Sequence, residues 1–175
     1  MAIFLFIILL GGIHNSVATA PVYEYKPTII EESKLLALQI SKLKQSHSLE
    51  YKSIDDLNET TLLICKMQTP VFDKYDIAAI VMKESRFNHL ALNKKDGSKG
   101  LMQVLKQWTK SIPWYKNPYD KHQSIKAGVY VLEQMHAEYK TKNKAIIHYN
   151  GSCDAAVAYQ KHIAQLKREI KSVKI

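Results

Sequence analysis

The chain has 175 residues, with 25 Lys and Arg against 16 Asp and Glu, a formal net charge of +9. Such a surface attracts polyanions, but the lysines are spread along the chain and form no RNA- or DNA-binding motif, which argues against a nucleic-acid partner. Removing a leader of 20 residues leaves about 155, enough for one domain with its own core.

Residues 1–20 read as a secretory signal peptide. Met1 to Leu10 are almost wholly apolar, Gly11 and Gly12 follow, and Ala18-Thr19-Ala20 places small residues ahead of Pro21. The apolar run is too short to span a bilayer comfortably. No Lys or Arg precedes it, so an uncleaved anchor is the alternative. The expectation is an exported protein, periplasmic or extracellular, with no stable membrane span after cleavage.

Residues 21–52 read as an N-terminal arm, helix and linker. Thr28 and Glu31 make a capping-box pattern, and Leu36, Ile40 and Leu43 mark an amphipathic helix to about Gln45. Ser46 to Lys52 is polar and reads as linker. The main domain is expected over 53–175. Ser53 with Asp56 starts its first helix, carried by Ile54, Leu57 and Ile64 to about Met67, and Pro70 breaks it.

The stretch from Tyr75 to Phe87 predicts a short helix. Ile77, Ile80, Val81, Glu84 and Phe87 share one face, and Asp76, Lys83 and Arg86 the other. Glu84 therefore places a lone carboxylate on the apolar stripe, near the negative end of the helix dipole. Burial and dipole both disfavour its charged form. A carboxylic acid protonated near neutral pH can donate a proton to a leaving group. The plainer alternative is a carboxylate at the stripe's rim whose head reaches water.

Asn88 to Gly100 is polar and reads as a loop. Gly100-Leu101-Met102-Gln103 closes it and leads into a short helical piece to about Lys110. Pro113 and Pro118 punctuate a segment with Trp108, Trp114, Tyr115 and Tyr119. Asp120 caps a helix whose face carries Ile125, Val129, Leu132, His136 and Tyr139. A short helix from Asn143 to His148 ends at Tyr149-Asn150-Gly151. The last helix runs from about Asp154 to Ile170. The fold class is all-α, with room for a minimal β element in the loop before Gly100.

Two cysteines, Cys65 and Cys153, leave two alternatives open: one bridge closing a long loop, or two buried thiols. The seven His residues show no metal spacing, and no CxxC or HExxH occurs. No metal and no cofactor are expected.

Glu84-Ser85, Gly100-Leu101-Met102-Gln103 and Tyr149-Asn150-Gly151, in this order and spacing, resemble the catalytic domain of the soluble lytic transglycosylases, lysozyme-like enzymes that cleave peptidoglycan. The resemblance covers roughly residues 54–165. Phe87-Asn88, Asn117-Pro118, Ala127-Gly128 and Tyr159 fit the same pattern. It implies that Glu84 is the sole catalytic carboxylate, acting between N-acetylmuramic acid and N-acetylglucosamine and leaving a 1,6-anhydro end. The attacking C6 hydroxyl is internal to the substrate, so no second carboxylate is needed to activate water. Ser85 would hydrogen-bond near the acid. Gly100 would allow a tight turn, and Leu101 and Met102 would pack the wall beside Glu84. Gln103 would bond sugar groups. Tyr149 would reach the acid or the N-acetyl group, and Tyr159 would line the cleft. Asn150 fits a turn better than a sugar contact. Trp108, Trp114 and Tyr115 offer flat rings for sugars.

The sequence departs from the family at His89, where Pro is common, and at His148, where a small residue is usual. The bulk of His148 would crowd the cleft floor or add a titrating group near Glu84. The small size and export signal are similar to transglycosylases that serve secretion, conjugation or phage assemblies. The expected partners are peptidoglycan glycan strands and such an assembly, with the protein itself a monomer. Three other readings are a muramidase that activates water through Asp96, a non-catalytic wall-binding scaffold, and a basic helical protein acting on membranes.

Overall fold

The computed structural model describes residues 27–151 and 154–175. The expected signal peptide and Cys153 lie outside them. Seven helices are present among the described residues: α1 Ile29–Lys42, α2 Ile54–Met67, α3 Lys74–Ser85, α4 Lys106–Thr109, α5 Lys121–Tyr139, α6 Lys142–Asn150 and α7 Asp154–Ser172. The fold is all-α. Its only extended pairing among the described residues is one antiparallel bridge, Leu92 to Lys99, in the loop before Gly100.

Local chemistry sets the helix starts. Thr28 accepts from the Glu31 amide while Glu31 accepts from the Thr28 amide, a closed capping box. Asp73 and Asp76 close a second box at α3. At α2, Ser53 caps the Asp56 amide, but the Asp56 carboxylate accepts instead from the Lys52 amide at 2.8 Å and pairs with Lys121. Asp120 caps α5 through the Gln123 amide at 2.7 Å.

α3 is the centre of the molecule. Ile77 to Met82 are all buried, not only the predicted stripe. A helix apolar on every side is a core helix, and α2 and α7 pack directly on it. The sequence reading put Asp76 on the solvent face, and the structure reverses that placement. Asp76 is buried because Lys142 of α6 and Lys167 of α7 reach it at 2.7 and 2.8 Å. A buried carboxylate is tolerable when it is paired in this way. The cations lie 66 and 91 residues downstream, beyond the reach of a periodicity argument.

α1 packs along α2 and touches α7. Leu36, Ala37, Ile40, Leu49 and Tyr51 join the same core as the later helices. Cys65 is a buried free thiol in α2, its pKa pushed up to about 11 by burial. No helix among the described residues is long and apolar enough to cross a membrane.

Candidate active site

Glu84 sits in the last turn of α3. The chain leaves that helix through two consecutive left-handed residues, Arg86 (φ 53°) and Phe87 (φ 63°). Such backbone costs free energy in non-glycine residues, so something must hold it. Phe87 is wholly buried. The Arg86 carbonyl accepts from the Glu50 amide at 2.7 Å. The Glu50 carboxylate pairs with Arg86 and accepts from Asn88 Nδ2 at 3.1 Å. Glu50 thus fastens the exit of α3 and lines the cleft beside Glu84. The sequence reading passed over it as linker, because nothing local marks a residue whose partners lie 36 and 38 positions away.

Glu84 Oε1 accepts from Tyr159 Oη at 2.5 Å. Burial pushes the Glu84 pKa up to about 7, against the Tyr159 hydrogen bond and the Lys83 charge, which pull it down; Asp96 pushes it further up. Tyr149 and Tyr159 are themselves buried, their pKa values raised by burial and then by the Glu84 charge. Of the two, it is not Tyr149 that bonds the acid. Tyr159 reaches the carboxyl, while Tyr149 Oη donates to the Met102 carbonyl at 2.6 Å.

That tyrosine bond joins α6 to the 100–103 turn. Gly100 (φ 79°) donates to the Ala91 carbonyl, and a Cβ there would lie 1.9 Å from the Pro118 carbonyl oxygen. Leu101 and Met102 are fully buried. Met102 lies so close under α5 that a Cβ on Gly128 would meet its Cε at 2.4 Å. The Gln103 amide is spent on the protein: Nε2 donates to the Gly100 and Ala91 carbonyls at 2.7 and 3.3 Å, and Oε1 accepts from Ser98. Gln103 therefore braces the loop that its side chain was expected to leave for sugar. Ser85 Oγ donates to the Val81 carbonyl within its own helix.

Glu84, Ser85 and Gln103 nevertheless line one open cleft of about 510 Å³, with Asn88, Leu90 and Asn93 among its other walls. None of the residues lining it is aromatic. Trp114 instead lies on the surface, edge-on to Tyr130 with Lys126 over its face, and Trp108 packs partly against the core. Asn150 is exposed in the last turn of α6 and borders a separate hollow with Lys83, Tyr159 and His162. His148 does not crowd the cleft floor. It stacks on Tyr139 of α5, ring centroids 3.6 Å apart and nearly parallel. His89 faces Asp56. Asp96 is tied into its loop, Oδ1 accepting from Ser98 and Oδ2 from Asn93.

The arrangement is chemically simple. One carboxyl, poised to hold or release its proton near neutrality, faces an open groove and is steered by one phenol. Replacing Tyr159 by Phe removes a hydrogen bond to the ionised form worth about 1 kcal/mol, so the Glu84 midpoint rises by roughly 0.5–1 unit. A carbon-detected NMR titration of the Glu84 carboxyl measures this; an unchanged midpoint would mean the bond does not steer the acid.

No curated protein matches the chain. The family model described as transglycosylase SLT domain matches residues 62–174, from within α2 past the end of α7. That span is more than half of the 175 residues and contains Glu84, the Gly100–Gln103 turn, Tyr149 and Tyr159. The chain belongs to the transglycosylase SLT domain family, whose members carry out lytic-transglycosylase-type cleavage of peptidoglycan.

Proposed function

We infer that this protein cleaves the β-1,4 bond between N-acetylmuramic acid and N-acetylglucosamine and leaves a 1,6-anhydro-muramyl end. The observation that carries this is the Glu84 carboxyl, held near pKa 7 by burial in an open cleft, beside acidic neighbours that are already engaged. Glu50 pairs with Arg86, and both Asp96 oxygens are bound within the loop. Both carboxylates are already held by protein partners, which favours an attack that needs no activated water.

The protonated Glu84 gives its proton to the glycosidic oxygen, and the bond to muramyl C1 breaks. N-acetylglucosamine leaves with that proton as its new hydroxyl. The Glu84 carboxylate then takes the proton of the muramyl C6 hydroxyl, and that oxygen bonds to C1. No water is consumed, and Glu84 returns to its starting state. A pKa near 7 suits a group that must do both jobs.

The apolar run and small residues of 1–20 support export to the periplasm or the exterior, and the setting we propose is local wall opening for a secretion, conjugation or phage assembly. Mass spectrometry of digested purified peptidoglycan tests the chemistry. Muropeptides lighter by one water than their reducing counterparts are expected. Reducing ends would make the protein a hydrolase, and an undigested wall would make it a scaffold.

A further inference from the structure

A second cleft of about 440 Å³ lies on the other side of the loop that walls the Glu84 groove. Ala91, Leu92, Asn93 and Gln103 face the Glu84 groove, while Asp96, Gly97, Lys99 and Val104 of the same segment face the second cleft. Its opposite wall is built from Lys106, Thr109, Tyr115, Lys116 and Pro118. The Pro118 carbonyl seats directly on Gly100, so the two hollows share one rigid partition.

The charge in this second cleft is predominantly positive, three lysines against one aspartate. Lys99, Lys106 and Lys116 all line it. Among the described residues none of the three has a carboxylate partner; Lys99 has only the Tyr119 ring, its Nζ 5.7 Å from the centroid. The single acid in the lining, Asp96, spends its oxygens on Ser98 and Asn93. Tyr115 and Val104 are buried at its inner surface. Three lysines without a carboxylate partner, all lining one hollow, each with several donors, suit a ligand bearing carboxylates.

We propose that this lysine-lined cleft binds the carboxylates of the peptide stem attached to the muramyl residue whose glycosidic bond lies over Glu84. This rests on the reading of the Glu84 groove as a glycan-cleaving site. A glycan strand lying in that groove carries its stems sideways from the lactyl oxygen, and the second cleft is the hollow next to it across the shared loop. The lysines then select for stem-bearing strands and hold the strand in register, acting as positioning residues with no part in bond breaking.

Three substrates free of phosphate polymers test this: glycan strands with native stems, strands whose stem carboxylates have been amidated, and strands stripped of stems by an amidase. The parent should cleave native strands about tenfold better in kcat/KM than amidated ones, the difference made by one good charge-assisted contact. Lys106→Gln/Lys116→Gln, two exposed positions, should raise KM on native strands by about tenfold with kcat nearly unchanged, and erase the preference over amidated ones. A control pair on the outer face of α7, Lys161→Gln/Arg168→Gln, should change neither. Equal losses in both pairs, or a double variant that keeps the preference, would overturn the proposal in favour of general charge attraction. A parent that cleaves none of the three strands would instead overturn the reading of Glu84 on which the proposal rests.

Discussion

Glu84→Gln protein should clear purified peptidoglycan about 10³-fold more slowly than the parent, the usual cost of losing a general acid. The glutamine is nearly isosteric, and its oxygen can still accept from Tyr159, so the loss reads out the proton alone. For the parent, kcat/KM should fall as pH rises through about 7, where the carboxyl loses that proton. The same residue has a signature in stability. Its pKa in the folded chain lies above the ordinary 4.5, so folding favours the protonated form. The fold is therefore penalised progressively as pH climbs from about 4.5 through about 7, and the penalty is complete above that. Allowing for the residue's partial exposure, it amounts to about 2 kcal/mol. Calorimetry should find Glu84→Gln melting about 5 °C higher than the parent near pH 8 and level with it near pH 4. A variant that is both dead and more stable at high pH is what a strained catalytic acid requires; one that clears wall at the parental rate would remove Glu84 from the chemistry.

Gly100→Ala should be the most damaging small substitution in the molecule. The position combines a φ of 79° with a Cβ that would fall 1.9 Å from the Pro118 carbonyl oxygen and 2.8 Å from Ser124 Oγ. The carbonyl is backbone and cannot swing aside. Ser124 Oγ accepts from the Met102 amide, so a displaced serine loosens the turn that anchors Tyr149. The expected cost is about 3 kcal/mol or more, a fall in Tm of roughly 6–12 °C. Gly97 provides the comparison. Its φ is 77°, yet nothing lies within 4 Å of a Cβ there. Gly97→Ala should cost only the left-handed penalty of about 1 kcal/mol. Similar melting points for the two variants would show that the contact with Pro118 is not what demands glycine.

The parts of this site that were legible in the sequence are those with a local cause. Glu84 stood out because a charge interrupts an apolar period, and the caps at Thr28, Ser53 and Asp120 follow from side chains within three residues of their targets. The bridge before Gly100 lies in the loop where a minimal β element was allowed. What misled the reading was distance along the chain. Asp76 looks like a surface residue until two lysines from later helices arrive. Tyr149 and Tyr159 are both aromatic, both buried and ten positions apart; only the rotation of α7 against α3 decides which phenol meets the carboxyl. Gln103 left two readings open, a sugar ligand and a buried structural amide; the loop's own carbonyls take up its amide protons.

Of the latch formed by Glu50, Arg86 and Asn88, Glu50 alone lies outside the span shared with the family. A fragment cut back to residue 62 would retain the acid and its phenol yet lose the strap that pins the bend behind them. The bend behind Glu84 is therefore pinned from the segment between α1 and α2, upstream of the family span.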